Sequence, residues 1–177
     1  MSTLDIDKML AAVAYICNTN GGKFDKLALI KAMYIAEREC ICETFNHMTG
    51  DEMLGYKFGP VLKNLLDATR GKAFPKFQQK WDYYFAKSDH SDDIKMLKTP
   101  DLDELSHADK LFLDRAIKFV NDCPKGTLVE KVHEFPEWDI AIKRGIHKID
   151  VADILSKYRS DLTTSEVIEI KKELETA

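Results

Sequence analysis

Long apolar runs are missing from these 177 residues. No stretch approaches the ~20 consecutive apolar residues that a membrane-spanning helix needs. The opening Met1-Ser2-Thr3-Leu4-Asp5-Ile6-Asp7 has neither the basic start nor the apolar stretch of a secretory signal. The chain is expected to be cytoplasmic and to have no membrane partner. A basic excess is missing too: 26 Lys and Arg stand against 30 Asp and Glu, for a formal net charge of −4. Proteins that neutralise phosphates gather positive charge on one face, so nucleic acid is not the expected main partner. Cysteines are few: Cys17, Cys40, Cys42 and Cys123. Cys40 and Cys42 are about 200° apart around a helix, which suits neither a bridge nor chelation, and no second Cys or His pair completes a zinc set. Free thiols in a reducing compartment are the expectation, with no metal and no cofactor. Gly21-Gly22 is too short for a phosphate loop and follows a helix rather than a strand. No His-Glu-x-x-His or His-x-His run occurs, and the carboxylates are dispersed rather than paired.

What is present is enough for one core. Apolar residues make up 45% of the chain and charged residues 32%, which suits amphipathic helices around a single interior. Ile6, Met9, Leu10, Val13 and Ile16 make one stripe of a helix over about Asp5 to Cys17, stopped by Asn20-Gly21-Gly22. Asp25 caps a second helix running to about Phe45, with Phe24 and Leu29 placed as a staple. Its apolar surface is so wide that it reads as the spine of the fold. Met53 to Phe58 is extended, and Pro60 is placed to open a third helix that Gly71 stops. Trp81 to Lys98 predicts a β-hairpin with a polar tip at Ser88 to Asp93. Ser106 with Asp109, Thr127 with Glu130, and Thr163 with Glu166 predict further helix starts, and another helix spans about Val151 to Tyr158. The predicted class is mainly α: a compact domain of about six to seven helices with a small β-hairpin insertion. Residues 1–145 are expected to form the domain and residues 146–177 a C-terminal helical extension. Val167, Ile170 and Leu174 need a partner surface, which allows a homo-oligomer.

Five histidines are candidates for chemistry. His47 and His90 lie in polar loops and are expected to be solvated, His107 follows a cap, and His147 has no obvious partner. His133 lies in His133-Glu134-Phe135-Pro136-Glu137-Trp138-Asp139. Two readings stand side by side there. His133 and Asp139 form an acid/base pair, or His133 ties a helix end to the following loop while Trp138 anchors that loop. Trp81, Tyr83, Tyr84 and Phe85 can stack on bases or pack inside. No catalytic constellation emerges.

Two segments carry a resemblance. Leu29-Ile30-Lys31-Ala32-Met33-Tyr34-Ile35-Ala36 and Tyr56-Lys57-Phe58-Gly59-Pro60-Val61 resemble, in order and spacing, two stretches of the Panacea domain, the SocA-like antitoxin family. Leu105 to Lys110 and His133 through Trp138 are similar to its later segments, with Val132 where threonine is usual. The resemblance covers roughly Leu4 to Ile142. It implies a non-enzymatic helical module of bacteria and their phages that neutralises a co-encoded toxin by contact. A phage or prophage adaptor that recruits a target to a host protease is the alternative. The motif residues are Lys31, Tyr34, Gly59, Pro60, His133 and Trp138. Tyr, Trp and Arg dominate interface hot spots, so Tyr56, Lys57, Phe58, Trp81, Tyr83 and Tyr84 are the expected partner-binding residues.

Overall fold

Asp25 starts the longest helix by accepting the Ala28 amide, and Phe45 ends it in the left-handed conformation at φ 57. This helix, α2 (Lys26–Thr44), buries residues on almost every side, from Leu29 through Glu37 and again at Cys40 and Ile41. The computed structural model describes residues 3–177, leaving Met1 and Ser2 outside the described residues. Around α2 lie α1 (Ile6–Asn18), β1 (Lys23–Asp25), β2 (Met53–Tyr56), β3 (Gly59–Leu62), α3 (Lys63–Thr69), α4 (Pro75–Tyr84), β4 (Phe85–Lys87) and β5 (Asp93–Met96). A single 3-10 turn, Leu102–Glu104, leads into α5 (His107–Asp122), α6 (Leu128–His133), α7 (Pro136–Arg144), α8 (Val151–Tyr158) and α9 (Thr164–Thr176).

The spine packs chiefly on α5. Phe112, Leu113, Ala116, Ile117 and Val120 make the buried stripe of α5, and Ser106 and Asp109 close a reciprocal cap at its start. β5 sits between β1 and β4 in an antiparallel three-stranded sheet, while β2 and β3 form a separate hairpin. Val167 and Leu174 of α9 are buried within the chain itself, and Lys171 pairs with Asp150 at 2.7 Å. The apolar face of the last helix is therefore covered without a second copy.

The class is mainly α, but nine helices form among the described residues rather than six or seven. The two extra ones, α4 and α7, both open with proline at a first-turn position and lack a side-chain cap. Trp81 to Tyr84 is thus helical, not the first arm of a hairpin; that arm is only Phe85–Lys87. Pro60 does not open a helix. It lies inside β3 opposite Gly55, with α3 starting at Lys63. Thr127 makes no side-chain cap to α6, because its hydroxyl donates to the Pro124 carbonyl instead.

Candidate functional site

Three residues on one face of α2 reach across to other segments, Tyr34 and Arg38 to those that follow α5 and Lys31 to β3. Lys31, Tyr34 and Arg38 fall at i, i+3 and i+7, so their side chains share a side of the helix. The Tyr34 hydroxyl donates to Glu137 Oε1 at 2.9 Å, and Arg38 Nη1 reaches the same oxygen at 3.2 Å. Arg38 also donates to the Tyr158 hydroxyl at 2.9 Å and lies over the Phe135 ring at 3.8 Å. Burial first, and then the Glu137 charge, hold the Tyr34 phenol well above its ordinary value, so it acts as a donor. This network joins α2, α7 and α8.

Lys31 is 1% exposed. Its ammonium donates to the Pro60 carbonyl at 3.0 Å and, among the described residues, has no carboxylate within ion-pair distance. The hairpin can come this close because residue 59 is glycine. Its φ is +101, and a Cβ there would meet Val132 Cγ2 at 2.6 Å and Lys31 Nζ at 3.1 Å. Burial pulls the ammonium from the ordinary 10.5 down to about 8. The charged form is thus disfavoured in the fold, a penalty of about 3 kcal/mol. That penalty is full below pH 8 and is relieved as pH rises to 10.5. Lys31→Met removes it. The stability of the variant relative to wild type, read by urea unfolding, is expected to fall by about 3 kcal/mol between pH 7 and pH 10.5. A pH-independent difference would rule out a destabilised ammonium.

The turn of the hairpin is held by its main chain. Trp138 Nε1 donates to the Tyr56 carbonyl at 2.8 Å, and His133 Nε2 lies 3.0 Å from the Lys57 carbonyl. The two rings stack on each other at 3.9 Å and 9°. Behind them His147 Nδ1 contacts the Gly55 carbonyl at 3.0 Å and its ring leans on Tyr56. Three aromatic side chains thus occupy three successive carbonyls, Gly55 to Lys57. The side chains at the tip stay free: Lys57 is exposed, and Phe58 is 64% exposed.

The expected partner-binding residues divide into three environments. Tyr56, Lys57 and Phe58 form the turn just described. Trp81 is 3% exposed, packed between Phe77 and Phe85, and so presents no face to a partner. Tyr83 and Tyr84 close α4 beside the three-stranded sheet; Tyr83 is 54% exposed, with Lys98 Nζ 4.0 Å above its ring. The His133–Asp139 pair does not form. Asp139 pairs with Lys143 at 2.6 Å, while His133 serves the Lys57 carbonyl. Trp138 is half-buried in α7, not in a loop.

His47 is not solvated; its Nδ1 lies 3.1 Å from Glu37 Oε1. Glu37, Arg38 and Glu137 are not among the expected site residues; charge inside the otherwise apolar run of α2 is the available signal for the first two, whereas Glu137 lies in α7 and shares no such signal. Among the described residues no group of three or more His, Cys, Asp or Glu is placed to hold a metal, and no helix is long and apolar enough to cross a membrane.

No curated protein and no solved structure matches the chain. A family model does: that of the antitoxin SocA-like Panacea domain, over residues 29–139. The matched stretch runs from Leu29 in α2 to Asp139 in α7 and contains Lys31, the hairpin and the His133–Trp138 stack. It is more than half of the chain, and the chain belongs to the SocA-like antitoxin family of Panacea domains.

Proposed function

We propose that the protein is an antitoxin-like module that neutralises a co-encoded toxin by direct contact, with the Tyr56–Gly59 turn on the contact face. The observation that carries this reading is the turn itself. Its carbonyls are gripped from behind while Lys57 and Phe58 project outward. An exposed aromatic on a rigid support loses little freedom on binding, which is the economy of an interface hot spot. On this reading residues 1–145 are the binding module and residues 146–177 a packed extension. Tyr83 and Tyr84 form a second, separate candidate patch.

Co-expression with the product of the adjacent gene tests it. The wild-type chain is expected to relieve that product's toxicity and to co-purify with it. Phe58→Ala with Lys57→Ala should weaken the complex about 30-fold, the effect of a hot spot worth about 2 kcal/mol, with no change in Tm. A wild type that relieves no toxicity overturns neutralisation. Recovery of a protease subunit in place of a toxin replaces it with the adaptor reading. An undiminished complex in the double variant removes the turn from the contact face.

A further inference from the structure

A groove of about 450 Å³ opens beside the turn, between the first half of α2, the hairpin, α3 and the β4–β5 loop. Its floor is Ile30, Val61 and Leu66, which with Leu54 and Tyr56 form a small apolar cluster separate from the main core. Leu27 and Phe58, both well exposed, flank it. Three cations also line it: Lys31, Lys26 and Arg70. Two carboxylates share the rim, but both are engaged elsewhere. Asp25 accepts the Ala28 amide as the helix cap, and Asp92 pairs with Lys87. Neither Lys26 nor Arg70 has a carboxylate within ion-pair distance among the described residues. The Lys26 ammonium is pulled below the usual lysine range by burial first and then by repulsion from Arg70 and Lys87, against an opposing pull from Asp92. The groove therefore combines an apolar floor with three cations against two rim carboxylates, a net positive lining.

We propose that this groove receives a segment of the partner protein in which a large apolar side chain stands beside a carboxylate, the apolar group lying on Ile30, Val61 and Leu66 and the carboxylate meeting Lys26 and Arg70 above the buried Lys31 ammonium. This rests on the protein-binding reading and names the chemistry of what is bound. A buried lysine with a single carbonyl partner costs the free fold stability, so its replacement separates structure from recognition. A purely structural Lys31 is lost with damage to the fold, whereas a recognition lysine is lost with damage to binding. The apolar floor favours a protein segment over a nucleotide, whose ribose and phosphates would need donors along the whole wall.

The groove can be read without any toxin. Hydrocinnamate stands in for the apolar group and carboxylate, hydrocinnamamide is its neutral counterpart, and adenosine monophosphate represents a nucleotide. Titrated into the full chain and followed by amide NMR, hydrocinnamate is expected to shift Gly59, Val61 and Leu66 and to bind about tenfold more tightly than the amide. Lys26→Gln with Arg70→Gln, and separately Lys31→Met, should erase that preference while Tm is held or raised; Lys125→Glu, outside the groove, should leave it intact. Equal affinity for acid and amide, no shifts at these amides, or tighter binding of adenosine monophosphate overturns the proposal. The partner arm is separate. If the adjacent gene's product binds wild type and Lys26→Gln/Arg70→Gln equally well, the groove is not its contact and the proposal fails while the antitoxin reading stands. If that product does not bind at all, the antitoxin reading fails and the fragment titration still decides the groove.

Discussion

Glu137→Ala is expected to destabilise the protein by about 3–5 kcal/mol, the cost of leaving a buried charge without its partner. The Glu137 carboxylate has no exposed surface, and the Arg38 side chain is only slightly exposed. Alanine would strand both the Arg38 guanidinium and the Tyr34 hydroxyl, which share Oε1. Neither has a ready substitute: the Tyr158 hydroxyl already takes one Arg38 donor, and Phe135 covers the guanidinium face. Glu137→Gln should cost less, because an amide oxygen still accepts from Tyr34. A double-mutant cycle with Arg38→Met is the decisive measurement by urea unfolding. Removing the cation together with the anion removes the stranded charge, so the pair should be destabilised by at least about 1 kcal/mol less than the sum of the singles. Additive effects would show that the two side chains do not act as a pair.

The second large effect is expected at Glu37→Ala, about 3–4 kcal/mol. This carboxylate is fully buried and gathers the loop that follows α2. It accepts the amides of Met48 and Thr49, the Thr49 hydroxyl at 2.7 Å, and contacts His47 Nδ1. Buried donors that lose a charged acceptor keep their full desolvation cost. The damage should also travel, because the Thr49 carbonyl in turn accepts the Asp5 amide, just before α1. Hydrogen exchange is expected to accelerate at Met48, Thr49 and the first turn of α1, well before the α5 amides respond. Uniform acceleration across the chain would contradict a local role.

Much of this architecture could be read from the chain. The starts of α2, α5 and α9 follow from Asp25, Ser106 and Thr163, each of which makes its expected cap, and Asp5 caps α1 in the same way. Capping is legible because donor and acceptor are three residues apart. Proline is less informative. A φ near −65° suits both the first turn of a helix and an extended strand, so Pro60, Pro75 and Pro136 look alike in sequence. The first lies in β3 and the other two open α4 and α7. The aromatic run at Trp81 favours a strand by propensity, but Phe77 and Trp81 bury at i and i+4 and hold the segment helical. For the site, the resemblance supplied Lys31, Gly59, His133 and Trp138. It did not supply Glu137, whose partners lie 99 and 103 positions away. A contact of that separation leaves no periodicity to read.

The grip on the hairpin turn is exerted through carbonyl oxygens, and every amino acid has one. His133 and Trp138 therefore define where the tip sits without constraining which side chains it carries. Lys57 and Phe58 are free of the support that positions them, whereas Gly59 is fixed by its φ and by Val132. The device resembles a tool holder with an exchangeable bit. On the contact-face reading proposed above, exchanging these two tip residues would re-address the surface without rebuilding the shaft behind it.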